Sequence, residues 1–268
     1  MSLVVVTRGV GTTIQDRGRA GFAHLGVAAS GAVDPTTVRR MNRALGNPAE
    51  AAVLETAGGL RLRAEAPTTV LRDGDIGPVA LLPGTELTVN PRPGRVWGYL
   101  AVRGGVEARF VLGSRSNDVM SGLGPEAIVD GCVVRGEASD SGAISDVTVP
   151  PEESPALLRV RVGPRVDWFA AGALDRLTEV TWAVTETGRV GVRLGGGALE
   201  RSVDRELASE GLVPGAIQIP ASGQPLVMGR DHPTTGGYPV IAVVDSADLA
   251  SLMQRPVGSQ VRFALAPT

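Results

Sequence analysis

Val53-Leu54-Glu55-Thr56-Ala57-Gly58-Gly59-Leu60-Arg61-Leu62-Arg63 opens a stretch, residues 53–134, in which short apolar runs alternate with turn formers. Further turns follow at Asp73-Gly74-Asp75, Pro83-Gly84, Pro91-Arg92-Pro93-Gly94 and Gly104-Gly105. Glycine, proline and aspartate supply the backbone angles of tight reversals, and the runs between them are short for helices, so the spacing predicts a meandering barrel or sandwich. Composition points the same way. With 36 glycines, 19 prolines and only 3% aromatics in 268 residues, Val, Leu and Ala carry the apolar weight, and a mainly β chain with a few short helices is expected.

Upstream, Leu3 to Thr7 reads as a strand that enters a glycine-rich polar loop, residues 9–19. Asp34-Pro35 then has the form of a helix cap followed by proline at the first helical position, and Val38, Met41 and Leu45 recur at helical spacing before Gly46. This predicts a helix over Pro35 to Leu45 whose polar face, Arg39, Asn42 and Arg43, is solvated. Downstream, residues 138–155 turn polar and then rich in proline and glutamate, the composition of a linker. The expected halves are therefore residues 1–150 and 151–268. In the second, Leu157 to Val162 reads as a strand, Val180, Trp182 and Val184 alternate like a half-buried strand, and Asp167 to Leu177 suits a short helix. A last helix is signalled by Ser246 as cap, by Leu249, Leu252 and Met253 on one face, and by Pro256 as stop.

A net charge of -2 gives no phosphate-tracking surface, so no nucleic acid is expected as partner. No run of eighteen apolar residues occurs and no basic segment precedes an apolar stretch near Met1, which predicts a cytoplasmic protein with no membrane partner. The single cysteine, Cys132, excludes an internal disulfide and a cysteine-based metal cluster, and no metal is expected. All 26 basic residues are arginine. Without lysine there is no Walker-type phosphate loop, no Schiff base, and no side chain on which this chain could carry biotin.

Three groups of residues could bear chemistry. Gln15, Asp16, Arg17, Arg19, His24, Ser30 and Asp34 fall in one loop and helix unit, where Asp and Arg beside glycine can bind a carboxylate or ureido group, or can simply stabilise a turn. Arg115 stands between Ser114 and Ser116 after an apolar run, a turn suited to an anion. The run from Ser209 to Pro239 brings together Glu210, Gln218, Arg230, Asp231, His232, Gly236-Gly237 and Tyr238 around two short apolar stretches. Here Asp231 and His232 could exchange protons with a substrate, or residues 234–239 could be a hairpin turn whose glycines are needed for positive φ. Gly188 to Gly197 lacks the context of a nucleotide fingerprint and reads as a flexible segment.

Residues 13–19 (Thr-Ile-Gln-Asp-Arg-Gly-Arg) with Gly21-Phe22, Gly26-Val27 and Ser30-Gly31-Ala32-Val33-Asp34 resemble the biotin-dependent carboxyltransferase-like family. That family includes the C component of the ATP-dependent prokaryotic 5-oxoprolinase, long labelled allophanate hydrolase subunit 2. Gly46-Asn47-Pro48 with Leu54-Glu55, Tyr99 to Gly105 with Leu112 to Ser116, Gly188 to Leu194, and Ser209 to Pro239 extend the likeness over nearly the whole chain. The resemblance implies two cyclophilin-like β-barrel halves and a 5-oxoprolinase B-like partner protein that shares the active site. It also implies an A-like protein and ATP-driven opening of 5-oxoproline to glutamate, with ATP handled through the assembled complex. For relatives fused into urea carboxylase it implies carboxyl transfer from carboxybiotin to urea, with biotin supplied by another chain, and for others antagonism of a kinase inhibitor. The candidate site drawn from these residues takes Asp16, Arg17, Arg19, His24, Arg115, Glu210, Gln218 and Tyr238 for substrate binding, Arg17 and Arg115 for an anion, with Asp231 or His232 for proton transfer. One loop departs from the family pattern: residues 122–131 lack its Gly-Arg pair, which puts a binding role for that loop in doubt.

Overall fold

The structure, a computed structural model, describes residues 1–137, 142–144, 155 and 157–267. The expected linker and the boundary at residue 150 lie almost wholly outside the described residues. Two compact units are present, residues 1–20 with 30–152 and residues 21–29 with 153–268. The second unit thus takes in a short segment from early in the chain.

The first unit runs β1 (Ser2–Val10), β2 (Thr13–Gln15), α1 (Pro35–Ala44), β3 (Val53–Thr56), β4 (Gly58–Ala64), β5 (Thr68–Arg72), β6 (Val79–Leu81), β7 (Glu86–Val89), β8 (Gly98–Val102) and β9 (Val133–Arg135). Two antiparallel sheets result, ordered β7-β4-β1-β9 and β2-β3-β8-β5-β6. In β4 the leucines alternate with arginines, so Leu60 and Leu62 turn inward while Arg61 and Arg63 meet water. They join Leu3, Val5, Ile14, Leu54, Val70 and Leu100 in one core fed by both sheets. Each such leucine contributes about 1.5–3 kcal/mol on full burial, and Cys132 packs against the same core. β8 is buried along its whole length because α1 lies against it.

The cap on α1 forms as expected, with Asp34 accepting from the Thr37 amide at 2.9 Å. Its polar face differs from expectation, because Asn42 is buried and donates to the carbonyls of Ala49 and Ala51. An asparagine amide has enough hydrogen bonds to fix the turn after the helix, and here it does so instead of meeting solvent.

The second unit contains β10 (Leu158–Val162), α2 (Ala173–Glu179), β11 (Trp182–Thr187), β12 (Gly191–Gly195), β13 (Glu210–Gly211), β14 (Ala216–Gln218), β15 (Leu226–Met228), β16 (Thr235–Gly236), β17 (Val240–Val244), α3 (Ser246–Met253), β18 (Gln260–Val261) and β19 (Phe263–Leu265). Eight strands form one sheet in the order β18-β11-β12-β15-β14-β17-β10-β19. The outermost strands, β18 and β19, are separated in sequence only by Arg262, so the sheet curls into a nearly closed barrel. Trp182, Val184, Val192, Leu194, Leu158, Val160 and Phe263 are buried within the unit. Short β13 and β16 pair separately.

Several expectations shift here. The helix predicted over Asp167 to Leu177 divides into a single 3-10 turn, Val166–Trp168, and α2, because Gly172 takes a left-handed φ of 81° between them. Val180 ends α2 rather than opening the next strand. The cap of α3 is Asp245, which accepts from the Ala247 amide, one residue before the expected Ser246. Gly188 to Gly197, expected to be flexible, supplies the turn after β11 and the whole of β12, which pairs with β11 and β15.

Candidate functional site

In the first unit β2 pairs with β3 and delivers Asp16 to the end of the strand. Its Oδ1 accepts from the Gly18 amide (2.7 Å), Ser114 Oγ (2.6 Å) and Ser116 Oγ (2.6 Å), and Oδ2 accepts from the Arg115 amide (2.7 Å). Both carboxylate oxygens are thus engaged inside the fold, Oδ1 by three donors and Oδ2 by one. Arg19, also buried, donates to the carbonyls of Val111 and Ser116. Asp16 and Arg19 therefore lock the 16–19 turn to the loop around residues 111–116, where sequence alone had them holding substrate. Arg115 is likewise engaged: it pairs with Glu137 and stacks on the Phe110 ring at 3.8 Å.

Arg17, between the two locked residues, is exposed and makes no hydrogen bond or ion pair among the described residues. The turn beside it is fixed as firmly. Three successive amides of residues 32–34 are anchored: Ala32 to the Asp16 carbonyl (2.9 Å), Val33 to Glu55 Oε2 (2.8 Å) and Asp34 to the Tyr99 hydroxyl (2.9 Å). Glu55 and Tyr99 have no exposed surface. Burial, with the nearby Glu55 and Asp34 carboxylates, pushes the Tyr99 phenol well above its ordinary value, so it remains a neutral donor to Glu55. Asp34 accepts from Arg95 at 3.1 Å as well as capping α1. Sequence reasoning missed Glu55 and Tyr99 as site supports, although a glutamate inside Val53–Thr56 and a tyrosine inside a wholly apolar strand were visible signals.

In the second unit the expected acid-base pair separates. Asp231 is held by buried Arg189 in a two-point pair, Nε to Oδ2 at 2.7 Å and Nη2 to Oδ1 at 2.9 Å. Both carboxylate oxygens are committed, so Asp231 ties residues 229–232 to the hairpin after β11. His232, also buried, lies with Nδ1 2.7 Å from the Pro233 carbonyl. A carbonyl only accepts, so Nδ1 carries a hydrogen, and Nε2 is the ring nitrogen that this contact leaves unengaged.

Of the other expected binding residues, Gln218 is buried and donates to the Tyr238 carbonyl at 3.0 Å, holding the 235–239 turn to β14. Tyr238 itself is about half exposed. Glu210 pairs with Arg165, whose hydrogen bonds hold its carboxyl below the usual range, beside a cavity of about 420 Å³ also lined by Asp167, Trp168 and Arg205. His24 is exposed in the turn Ala23–Leu25, its Nδ1 3.1 Å from the Gly21 carbonyl, within the segment that belongs to the second unit. The glycines of the 235–239 turn do not have positive φ. A Cβ at Gly236 would lie 2.7 Å from Gln218 Nε2 and 2.8 Å from Leu212 Cδ1, so the ends of those two side chains would have to shift.

Among the described residues no cluster of His, Cys, Asp or Glu could hold a metal ion, and no helix is long and apolar enough to cross a membrane. The N-termini of the three α-helices described offer no cradle for phosphates: α1 and α3 are closed by Asp34 and Asp245, and α2 carries Asp175 in its first turn.

The family model "Carboxyltransferase domain, subdomain A and B" matches residues 25–265, spanning parts of both units. The chain belongs to the carboxyltransferase-domain family. This carboxyltransferase-family chain is 34% identical to the C subunit of 5-oxoprolinase from Escherichia coli strain K12, over 97% of the chain and 90% of that relative. It is 30% identical to the 5-oxoprolinase C subunit of Haemophilus influenzae, over 94% of the chain and 87% of that relative. A urea amidolyase of Lachancea kluyveri is 25% identical over 97% of the chain, which spans only 16% of that enzyme. Among solved structures, TTHA0988 matches with a TM-score of 0.85 and 33% identity over 98% of the chain, which spans about half (55%) of that protein. The urea amidolyase of K. lactis shares the fold with a TM-score of 0.90, at 24% identity over 99% of the chain and 19% of its own.

Proposed function

We propose that this chain is the C subunit of an ATP-dependent 5-oxoprolinase, which opens the lactam of 5-oxoproline to glutamate with B-like and A-like partner proteins. The observation that carries the reading is two-way coverage: the chain accounts for 90% of the E. coli C subunit, whereas it corresponds to only 16% of a urea amidolyase. The first match spans most of both chains.

In this reading the groups available for chemistry are those the fold leaves unengaged. In the first unit Arg17, exposed on a turn that its neighbours tie down, supplies a positive charge suited to an anionic group. His232, its Nδ1 fixed on a backbone carbonyl, offers Nε2 to take a proton from attacking water and return one to the leaving nitrogen. Tyr238 stands exposed on the same turn system as His232. Asp16, Arg19, Gln218 and Asp231 act by holding these turns. The chain has no lysine and no phosphate cradle at the helix ends described, so ATP is assigned to a partner, and the site is completed by the B-like protein. A cytoplasmic location for the complex belongs to the same proposal.

The test is reconstitution with candidate B and A proteins and measurement of glutamate released from 5-oxoproline with ATP. His232→Gln in that complex should lower kcat by about 10²-fold, in the range of a lost general base, with the melting temperature unchanged. No glutamate from an assembled wild-type complex defeats the reading. A second reading, carboxyl transfer, rests on the family description itself; it predicts substrate-dependent decarboxylation of carboxybiotin carried on another chain. A third, a regulatory module that antagonises a kinase inhibitor, predicts binding unaffected by His232→Gln.

A further inference from the structure

Ser30 combines two features that the fold does not explain. It is one of two non-glycine residues with positive φ among the described residues, at 52°, a conformation that costs an L-residue free energy. It is also 2% exposed, and its hydroxyl has no hydrogen-bond partner. A buried hydroxyl normally finds a partner, and one held unpaired on a strained backbone disfavours the folded state twice.

The surrounding contacts keep it there. Immediately after Ser30, the amides of Ala32, Val33 and Asp34 are tied to Asp16, Glu55 and Tyr99, so the loop cannot relax by rotating away. Gly31 packs directly on the preceding turn, since a Cβ there would lie 2.9 Å from the Arg17 carbonyl carbon and oxygen. Ser30 is therefore one residue from a backbone contact with Arg17, whose guanidinium is uncommitted among the described residues. Two tied turns meet through their backbones, one bearing an exposed guanidinium and the other a hydroxyl enclosed by the fold.

We infer that Ser30 is a substrate-binding residue, its hydroxyl donating to the carbonyl oxygen of a small amide, lactam or ureide, held beside Arg17. This rests on the proposed function, which supplies the substrate class. The polarity fits: a hydroxyl proton is drawn to an amide oxygen, most strongly when negative charge develops on it. The strain fits as well, because a site that must hold a donor in one orientation before substrate arrives does so at the expense of stability.

The experiment compares wild type, Ser30→Ala and Ser30→Gly in the assembled complex, reading thermal midpoint, midpoint shift on adding 5-oxoproline or urea, and ATP-dependent glutamate release. Ser30→Ala keeps the backbone demand and removes the hydroxyl; Ser30→Gly removes both. Both variants should melt at the wild-type temperature or about 1–4 °C above it, Ser30→Gly the higher. Both should lose the ligand-induced shift and about 10- to 100-fold in kcat/KM. A shift in wild type with 5-oxoproline identifies the lactam, and one with urea alone identifies the ureide. A variant that melts several degrees lower shows a structural hydroxyl and overturns the inference, as does Ser30→Ala with full activity and an undiminished shift. A wild-type complex that binds urea but releases no glutamate defeats the 5-oxoprolinase reading alone, and loss of that urea shift in Ser30→Ala then still upholds Ser30.

Discussion

Asp16 shows how a residue of functional type becomes part of the frame. Four donors converge on its carboxylate, and asparagine would set an amide N–H against at least one of them. Asp16→Asn should therefore cost about 1–3 kcal/mol, seen as a lower midpoint in urea, and should lower activity only to the extent that it loosens Arg17. The Arg189–Asp231 pair makes the same point in the second unit. Asp231→Ala removes both halves of the buried two-point pair with Arg189 and should cost about 3–5 kcal/mol, whereas the double replacement Arg189→Met with Asp231→Leu should recover part of that loss in the same unfolding measurement. A proton-transfer role for Asp231 predicts instead a stable, inactive alanine variant. Sequence named both aspartates because acid beside arginine or histidine looks like chemistry. Their partners, Ser114, Ser116 and Arg189, come from distant positions and could not be counted from the local pattern.

At the scale of elements, the turn after β16 illustrates what glycine is for. Gly236→Ala should cost about 1–3 kcal/mol through crowding against Gln218 and Leu212. Gly237→Ala, whose nearest neighbour is the Leu207 carbonyl at 3.3 Å, should cost clearly less; paired thermal melts distinguish them. The start of α1 was legible in the sequence because its Asp-Pro signal is local. The break before α2 and the burial of Asn42 were not, since each is decided by packing and by hydrogen bonds to residues beyond the helix itself. The motifs around residues 13–19 and 209–239 supplied most of the candidate site residues. They could not show that Arg17 and His232 keep a free polar group while adjacent residues commit theirs to the fold.

Over the whole molecule, acid sensitivity should be traceable to α3. Asp248 accepts from the Arg159 amide and guanidinium, and those hydrogen bonds hold its carboxyl below the ordinary aspartate value of 3.8. A depressed value in the folded state contributes stability above pH 3.8 that is lost as pH falls through the folded value. Asp248→Asn should accordingly flatten the fall in melting temperature below about pH 4, while lowering it at neutral pH. The division of the chain has its own consequence, because residues 21–29 belong with the second unit. A fragment of residues 153–268 lacks that segment and should melt at a lower temperature than the same unit within the full chain.

Near one end of the second unit's sheet β10 lies between β17 and the outermost strand β19, with Leu158 paired in parallel with Phe263. During synthesis β10 emerges long before its neighbours on either side, β17 and β19, and its backbone donors and acceptors stay open while the intervening strands are made. Such late, long-range pairing folds slowly and leaves an adhesive edge exposed in the interval. Successful production of this protein therefore depends on how long that edge is left uncovered, which slower translation at low temperature or an early chaperone would govern.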